Sequence, residues 1–204
     1  MQTLLVHGLG RTPLSLFGMA AFLRRSGHRT RFFGYSSTFE NVPRIMRRLV
    51  RVLRDLAARD EPVGLVGHSL GGVFLRNVLP DVPSLRVHHL VTLGSPAAPS
   101  RFARLAWDWF PPFRVFARDC ARFLMSSDTY AALPAPSYPF TAVAGTSGIR
   151  GRFAPFGNEP NDGLVSVEEA RVPGSEPVLV PALHTFIMDA PAVRALVASA
   201  FARG

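Results

Sequence analysis

The 204-residue chain contains no lysine; all 23 of its basic residues are arginine. Against 14 acidic residues this leaves a formal net charge of +9. A balance of that size suits nucleic acid or an anionic membrane. The arginines, however, are scattered from Arg11 to Arg203, and the uniform choice of arginine fits a GC-rich codon bias better than a selected basic surface. The densest group, Arg44, Arg47, Arg48, Arg51 and Arg54, reads as the solvated face of one helix. No nucleic-acid partner is expected.

Cysteine is nearly absent too. Cys120 stands alone, which excludes an intrachain disulfide, and no flanking motif marks it as a nucleophile, so a structural role is expected. The six histidines show no ligand spacing with it, and no metal is expected. No apolar run is long enough to span a membrane. Met1 and Gln2 lead straight into an apolar run without a basic leader or a small-residue cleavage site, which suggests a cytoplasmic protein. Repeats and low-complexity tracts are missing as well. With 48% apolar residues, the chain 1–204 is read as a single domain around one core.

What is present is an alternation of short apolar strands with amphipathic helices. Strands are expected at Thr3–Val6, Arg31–Tyr35, Val63–Val66, Val87–Leu93, Thr141–Ala144 and Val178–Val180. Between them, a helix capped by Thr12 with Pro13 at its first position runs to Ser26. A second, capped by Asn41, carries Ile45, Leu49, Val52, Leu53 and Leu56 at helical spacing. A third covers Leu70–Leu79. The last is capped by Asp189 and buries Val193, Leu196, Val197, Ala200 and Phe201, with Gly204 closing the chain. The pattern implies an α/β fold with about six mostly parallel strands and helices on both faces. In such sheets the carboxyl ends of the strands hold the ligand.

The chemistry-bearing residues fall at those ends. Gly67-His68-Ser69-Leu70-Gly71 lies between a buried strand and a helix, the context in which G-x-S-x-G becomes a sharp turn exposing a serine at a helix start. His7-Gly8-Leu9-Gly10 follows the first strand, where an H-G-x-G turn supplies an oxyanion donor, so the N–H groups of Leu9 and Leu70 are assigned to that hole. A dinucleotide fingerprint would also begin Gly8-Leu9-Gly10, but Pro13 replaces its third glycine and no acid follows the second strand. Asp162, in Asn161-Asp162-Gly163, is the candidate acid, with Glu159, Glu168 and Asp128 as fallbacks. His184 is the candidate base. His88 and His89 lie in a strand and read as structural; His7 and His68 read as local hydrogen-bonding groups.

These pieces, with Leu93-Gly94-Ser95-Pro96 and His184-Thr185-Phe186, resemble the α/β-hydrolase superfamily, in particular short bacterial lipase-like esterases. The order Ser69, Asp162, His184 is that family's order. The resemblance implies a serine hydrolase with no cofactor that cleaves carboxylic esters of hydrophobic acyl groups through an acyl-enzyme. A thioesterase or acyltransferase on the same triad, and a non-catalytic acyl-binding relative, remain as alternatives. The chain departs from larger members in lacking their antiparallel edge strands. It also has Ala97-Ala98-Pro99-Ser100 where relatives often carry a histidine.

Residues 97–139 break the rhythm and read as a small helical cap insertion, divided at Pro111-Pro112. It holds both tryptophans. Trp107, Trp109, Phe113 and Phe116 are the candidate acyl-binding residues, with packing of the insertion onto the body as the competing explanation. Arg101, Arg104, Arg114, Arg118 and Arg122 leave a lipid-surface contact open, without further support in the sequence. The expected partner is a small-molecule acyl ester; no oligomeric state is implied.

Overall fold

Gln2–Val6 is buried along its whole length, as a strand covered on both faces must be, and forms β1. The remaining strands are β2 (Arg29–Phe33), β3 (Val63–His68), β4 (Val87–Leu93), β5 (Phe140–Gly145) and β6 (Val178–Val180). All pair in parallel in one six-stranded sheet of order β2-β1-β3-β4-β5-β6. This computed structural model describes residues 1–202; Arg203 and Gly204 lie outside the described residues.

Successive strand residues point to opposite faces and feed two cores. Leu4, Val6, Leu65 and Leu90 pack with α2 (Val42–Ala57) and α3 (Leu70–Val78). Leu5, Val66, Val91 and Val143 pack with α1 (Phe17–Arg25) and α7 (Pro191–Ala202). No described helix is long and apolar enough to cross a membrane.

Several local expectations are corrected. Pro13–Leu16 is a separate 3-10 turn ahead of α1, and the Thr12 side chain makes no capping bond. Asp189 does not cap α7; its carboxylate pairs with Arg194 at 2.6 Å, and the Ala190 carbonyl receives the first helical N–H groups. β2 lies two residues earlier than expected, leaving Tyr35 beyond its end as a buried loop residue. Asn41 does cap α2, accepting the Arg44 N–H at 2.9 Å.

Between β4 and β5 the chain forms α4 (Arg101–Trp109), α5 (Pro111–Met125) and α6 (Ser127–Ala131). Ser100 caps α4, and Phe113, Ala117, Cys120, Ala121 and Leu124 of α5 pack on the α2–α3 side of the sheet. Arg118, with φ 37°, kinks α5. Burial pushes the Cys120 thiol up to about 12, an environment that suits packing rather than nucleophilic chemistry.

The chain winds from β1 out to β2, then back across to β3, so β1 and β3 are neighbours whose connections leave in opposite directions. A crevice opens at their carboxyl ends, where open parallel sheets place their ligands. The register Val6 to Gly67 sets the loop after β1 beside Ser69.

Candidate active site

Ser69 sits between β3 and α3 with φ 52° and ψ −123°, a conformation that non-glycine residues adopt only when their surroundings enforce it. The enforcement is steric and polar. A Cβ on Gly67 would strike Gly72, one on Gly71 would strike the Val6 carbonyl, and one on Gly72 would strike the Ser95 hydroxyl. The Ser69 N–H donates to the Leu93 carbonyl at 2.9 Å, while its own carbonyl accepts from Gly72 and Val73. Leu70 and Gly71 head α3, and N–H groups there lie ahead of the first intrahelical bonds. Leu9 faces the same pocket from the loop after β1.

Asp162 and His184 meet beside that pocket, with His184 in its lining alongside Ser69. His184 Nδ1 donates to Asp162 Oδ2 at 2.8 Å, with both side chains buried. The other carboxylate oxygen accepts the N–H groups of Leu164 at 2.9 Å and Val165 at 2.7 Å, so the turn itself holds the carboxylate. The His184 N–H donates to the Asp162 carbonyl at 2.8 Å. Gly94, with φ 55°, leaves the space: a Cβ there would lie 2.8 Å from Asp162 Oδ2 and 3.0 Å from His184 Nδ1. With Nδ1 committed to the carboxylate, Nε2 is the imidazole nitrogen left for chemistry. The fallback acids lie elsewhere. Glu159 pairs with Arg101, Glu168 pairs with Arg171, and Asp128 is exposed on α6.

Two further histidines support the corner. His68 Nε2 donates to the His184 carbonyl at 3.1 Å, gripping that residue from the position beside Ser69. Burial and the neighbouring His184 push the His68 imidazole well below its usual range. His7 Nδ1 faces the Gly8 carbonyl at 2.9 Å and so carries the proton; its Nε2 accepts the Tyr35 N–H at 3.3 Å. Its ring stacks on Tyr35 at 4.2 Å, and the Tyr35 hydroxyl donates to the His7 carbonyl. Burial lowers its pKa as well. Tyr35 was not singled out in the sequence, because its contact depends on leaving β2.

The pocket over Ser69 measures about 330 Å³ and includes Phe102, Phe110, Phe113 and Phe116 in its lining. The four expected aromatics are thus divided: Phe113 and Phe116 face the pocket, whereas Trp107 faces an outer groove and Trp109 is 83% exposed. Phe102 and Phe110, aromatics of the same segment, join Phe113 and Phe116 in the lining. Larger surface hollows of about 830 and 560 Å³ contain no serine beside a histidine. Among the described residues no three His, Cys, Asp or Glu side chains are grouped as metal ligands would be.

Solved structures share this architecture. The mature form of the Bacillus licheniformis lipase BlEst2 aligns with a TM-score of 0.76 at 21% identity, over 96% of this chain and 91% of that one. The metagenomic carboxyl esterase MGS0156 aligns at 0.70 and 18% identity, over 99% and 75%. A thioesterase domain from the curacin biosynthetic pathway aligns at 0.64 and 16% identity, over 96% and 90%. No curated protein matches the sequence. The profile of the Alpha/beta hydrolase family matches residues 3–203, nearly the whole length, and the chain belongs to that family.

Proposed function

We propose that this protein is a serine hydrolase that cleaves carboxylic esters of hydrophobic acyl groups, with Ser69 as nucleophile, His184 as base and Asp162 as the acid. The observation that carries the reading is the buried Asp162–His184 bond opening onto the same apolar pocket as a serine in strained turn geometry. His184 Nε2 takes the hydroxyl proton as Ser69 Oγ bonds to the acyl carbon, and the carbonyl π pair moves onto oxygen. The N–H groups of Leu9 and Leu70 receive that charge. Collapse expels the alcohol oxygen, which leaves with the proton from His184. Water then gives its proton to His184, adds to the acyl carbon and releases the acid, restoring Ser69. Asp162 holds the imidazole in the required tautomer and stabilises its charged form.

The acyl wall in this reading is Phe102, Phe110, Phe113 and Phe116. Trp107 and Trp109 are assigned to the outer face of the insertion. The test is covalent labelling: a fluorophosphonate should modify Ser69, located by peptide mass spectrometry, and Ser69→Ala should abolish both labelling and hydrolysis of 4-nitrophenyl butyrate. Label on a different serine of an active preparation refutes the assignment.

A further inference from the structure

The turn Gly8–Arg11, closed by the Arg11 N–H on the Gly8 carbonyl at 3.3 Å, ends in an arginine that lines the catalytic pocket. The remaining lining is apolar, hydroxyl-bearing or imidazole; it includes no aspartate or glutamate. Arg11 is partly buried, and its only side-chain hydrogen bond among the described residues is a long one, Nη2 to the Thr185 carbonyl at 3.4 Å. Several arginines outside this pocket are neutralised by acids. Arg29, Arg48, Arg101, Arg171 and Arg194 each hold a carboxylate. Arg11 has no acidic partner among the described residues, and a guanidinium has five donors to satisfy. Its charge reaches the site, where it contributes to the lowered pKa of His68.

We infer that Arg11 is a specificity-determining residue that binds an anionic group, a carboxylate or a phosphate, on the leaving-group side of the substrate. The side follows from its partner. Thr185 adjoins His184, whose imidazole hands its proton to the departing oxygen, and Arg11 is held against that segment. The aromatic wall of Phe102, Phe110, Phe113 and Phe116 is contributed by α4, α5 and the residue between them, and suits the acyl chain. The planar fork of arginine matches either oxyanion with paired hydrogen bonds, and the apolar surroundings limit screening by water. The preferred substrate class is therefore an acyl ester whose alcohol portion carries negative charge close to the scissile bond. This inference rests on the proposed hydrolase reading.

The experiment compares butyrate esters of one phenol series: 4-hydroxybenzoate, its neutral methyl ester, and 4-hydroxyphenyl phosphate. For each, kcat/KM is measured on the parent protein, Arg11→Met and Arg11→Lys. The ratio of anionic to neutral ester should fall about 10- to 100-fold in Arg11→Met, the range for a hydrogen bond to a charged group, and recover in part in Arg11→Lys. A fall confined to the carboxylate or to the phosphate ester identifies the source of the anion. Dividing by the neutral ester removes intrinsic reactivity and any general damage to the site, so a purely structural arginine leaves the ratio unchanged. An unchanged ratio overturns the inference. Calorimetric binding of the same esters to Ser69→Ala, with and without Arg11→Met, reads the preference without turnover. Loss of the hydrolase reading would appear as an unlabelled Ser69 and an inert neutral ester, whereas failure of the Arg11 inference appears as equal ratios on an active enzyme.

Discussion

Three histidines crowd the corner beside Ser69, and their partners decide what each can do with a proton. His184 has a carboxylate on Nδ1. His7 and His68 have none: each gives one N–H to a carbonyl, and His68 Nδ1 is buried without a partner. Burial is the main force against protonation of both, and for His68 the nearby His184, Arg11 and His7 add to it. Both imidazoles therefore have folded-state pKa values below the ordinary 6.5. The native state then binds fewer protons than the unfolded state once the pH drops below that value. The stability from these residues is complete above about pH 6.5 and is lost as pH falls through it toward the lowered folded values. His68→Gln keeps a donor in place of Nε2 and removes the titration. Its Tm should decline less steeply than that of the parent between pH 6.5 and 5, followed by calorimetry; parallel declines would show that His68 does not set the acid limb. The sequence exposed His68 as part of the serine turn, but its partner lies 116 residues away, beyond any local pattern. Ser69, Asp162 and His184 were singled out because motif context and chain order limit the choice.

At the scale of elements, the insertion and the acid loop are tied together by one buried carboxylate. Glu169 accepts the Arg101 N–H at the start of α4 at 2.8 Å and the Ser166 N–H at 2.9 Å, and its carbonyl takes the Ala97 N–H. Ser166 follows Val165, whose N–H holds Asp162. Removing the carboxylate leaves two main-chain donors without an acceptor, each costing about 1–3 kcal/mol if they stay buried. The neighbouring Arg101–Glu159 pair is about half exposed, where an ion pair contributes only about 0–1 kcal/mol. Glu169→Ala should thus lower chemical-denaturation stability by several kcal/mol and reduce kcat as the acid turn loosens, while Glu159→Gln should change both little. Equal losses in the two variants would place the connection in the surface pair instead. None of this was legible beforehand: Glu169 belongs to an ordinary polar stretch, and only the return of the chain to α4 gives it partners. β6 was legible to the residue as a short apolar run. β2 was not, because its first residues are arginine and threonine, half exposed at the sheet edge, and the apolar signal begins at Phe32.

For the whole molecule, strand order and helix faces follow from alternating apolar patterns, and the pocket does not. Its walls come from the loop after β1, from the turn carrying His68 and Ser69, from α4 and α5, and from the segments at Leu164-Val165 and His184-Thr185. α4 carries large apolar residues around much of its circumference, so helical spacing alone leaves open which side meets the body. Packing settles it: Ala103 is buried, Phe102 and Ala106 line the pocket over Ser69, and Trp107 packs half-buried against the core beside an outer groove, where Arg122 lies over its ring at 5.4 Å. Size and aromaticity favoured the tryptophans in the sequence; the short Ala103 side chain, which lets the helix approach, is what selects the phenylalanines. Acyl-chain preference should follow the same division. A methylene in an apolar pocket changes discrimination by roughly 1–3 kcal/mol, so trimming a wall residue opens room for longer chains by an easily measured factor. Phe102→Ala, Phe110→Ala and Phe113→Ala should each move the optimum of a 4-nitrophenyl ester series toward longer acyl groups. Trp109→Ala, 83% exposed in the parent, should leave that optimum where it was. Should Trp109→Ala shift the series while the three phenylalanine variants do not, the acyl group must lie along the outer face of α4, and the cavity above Ser69 would hold the alcohol portion alone.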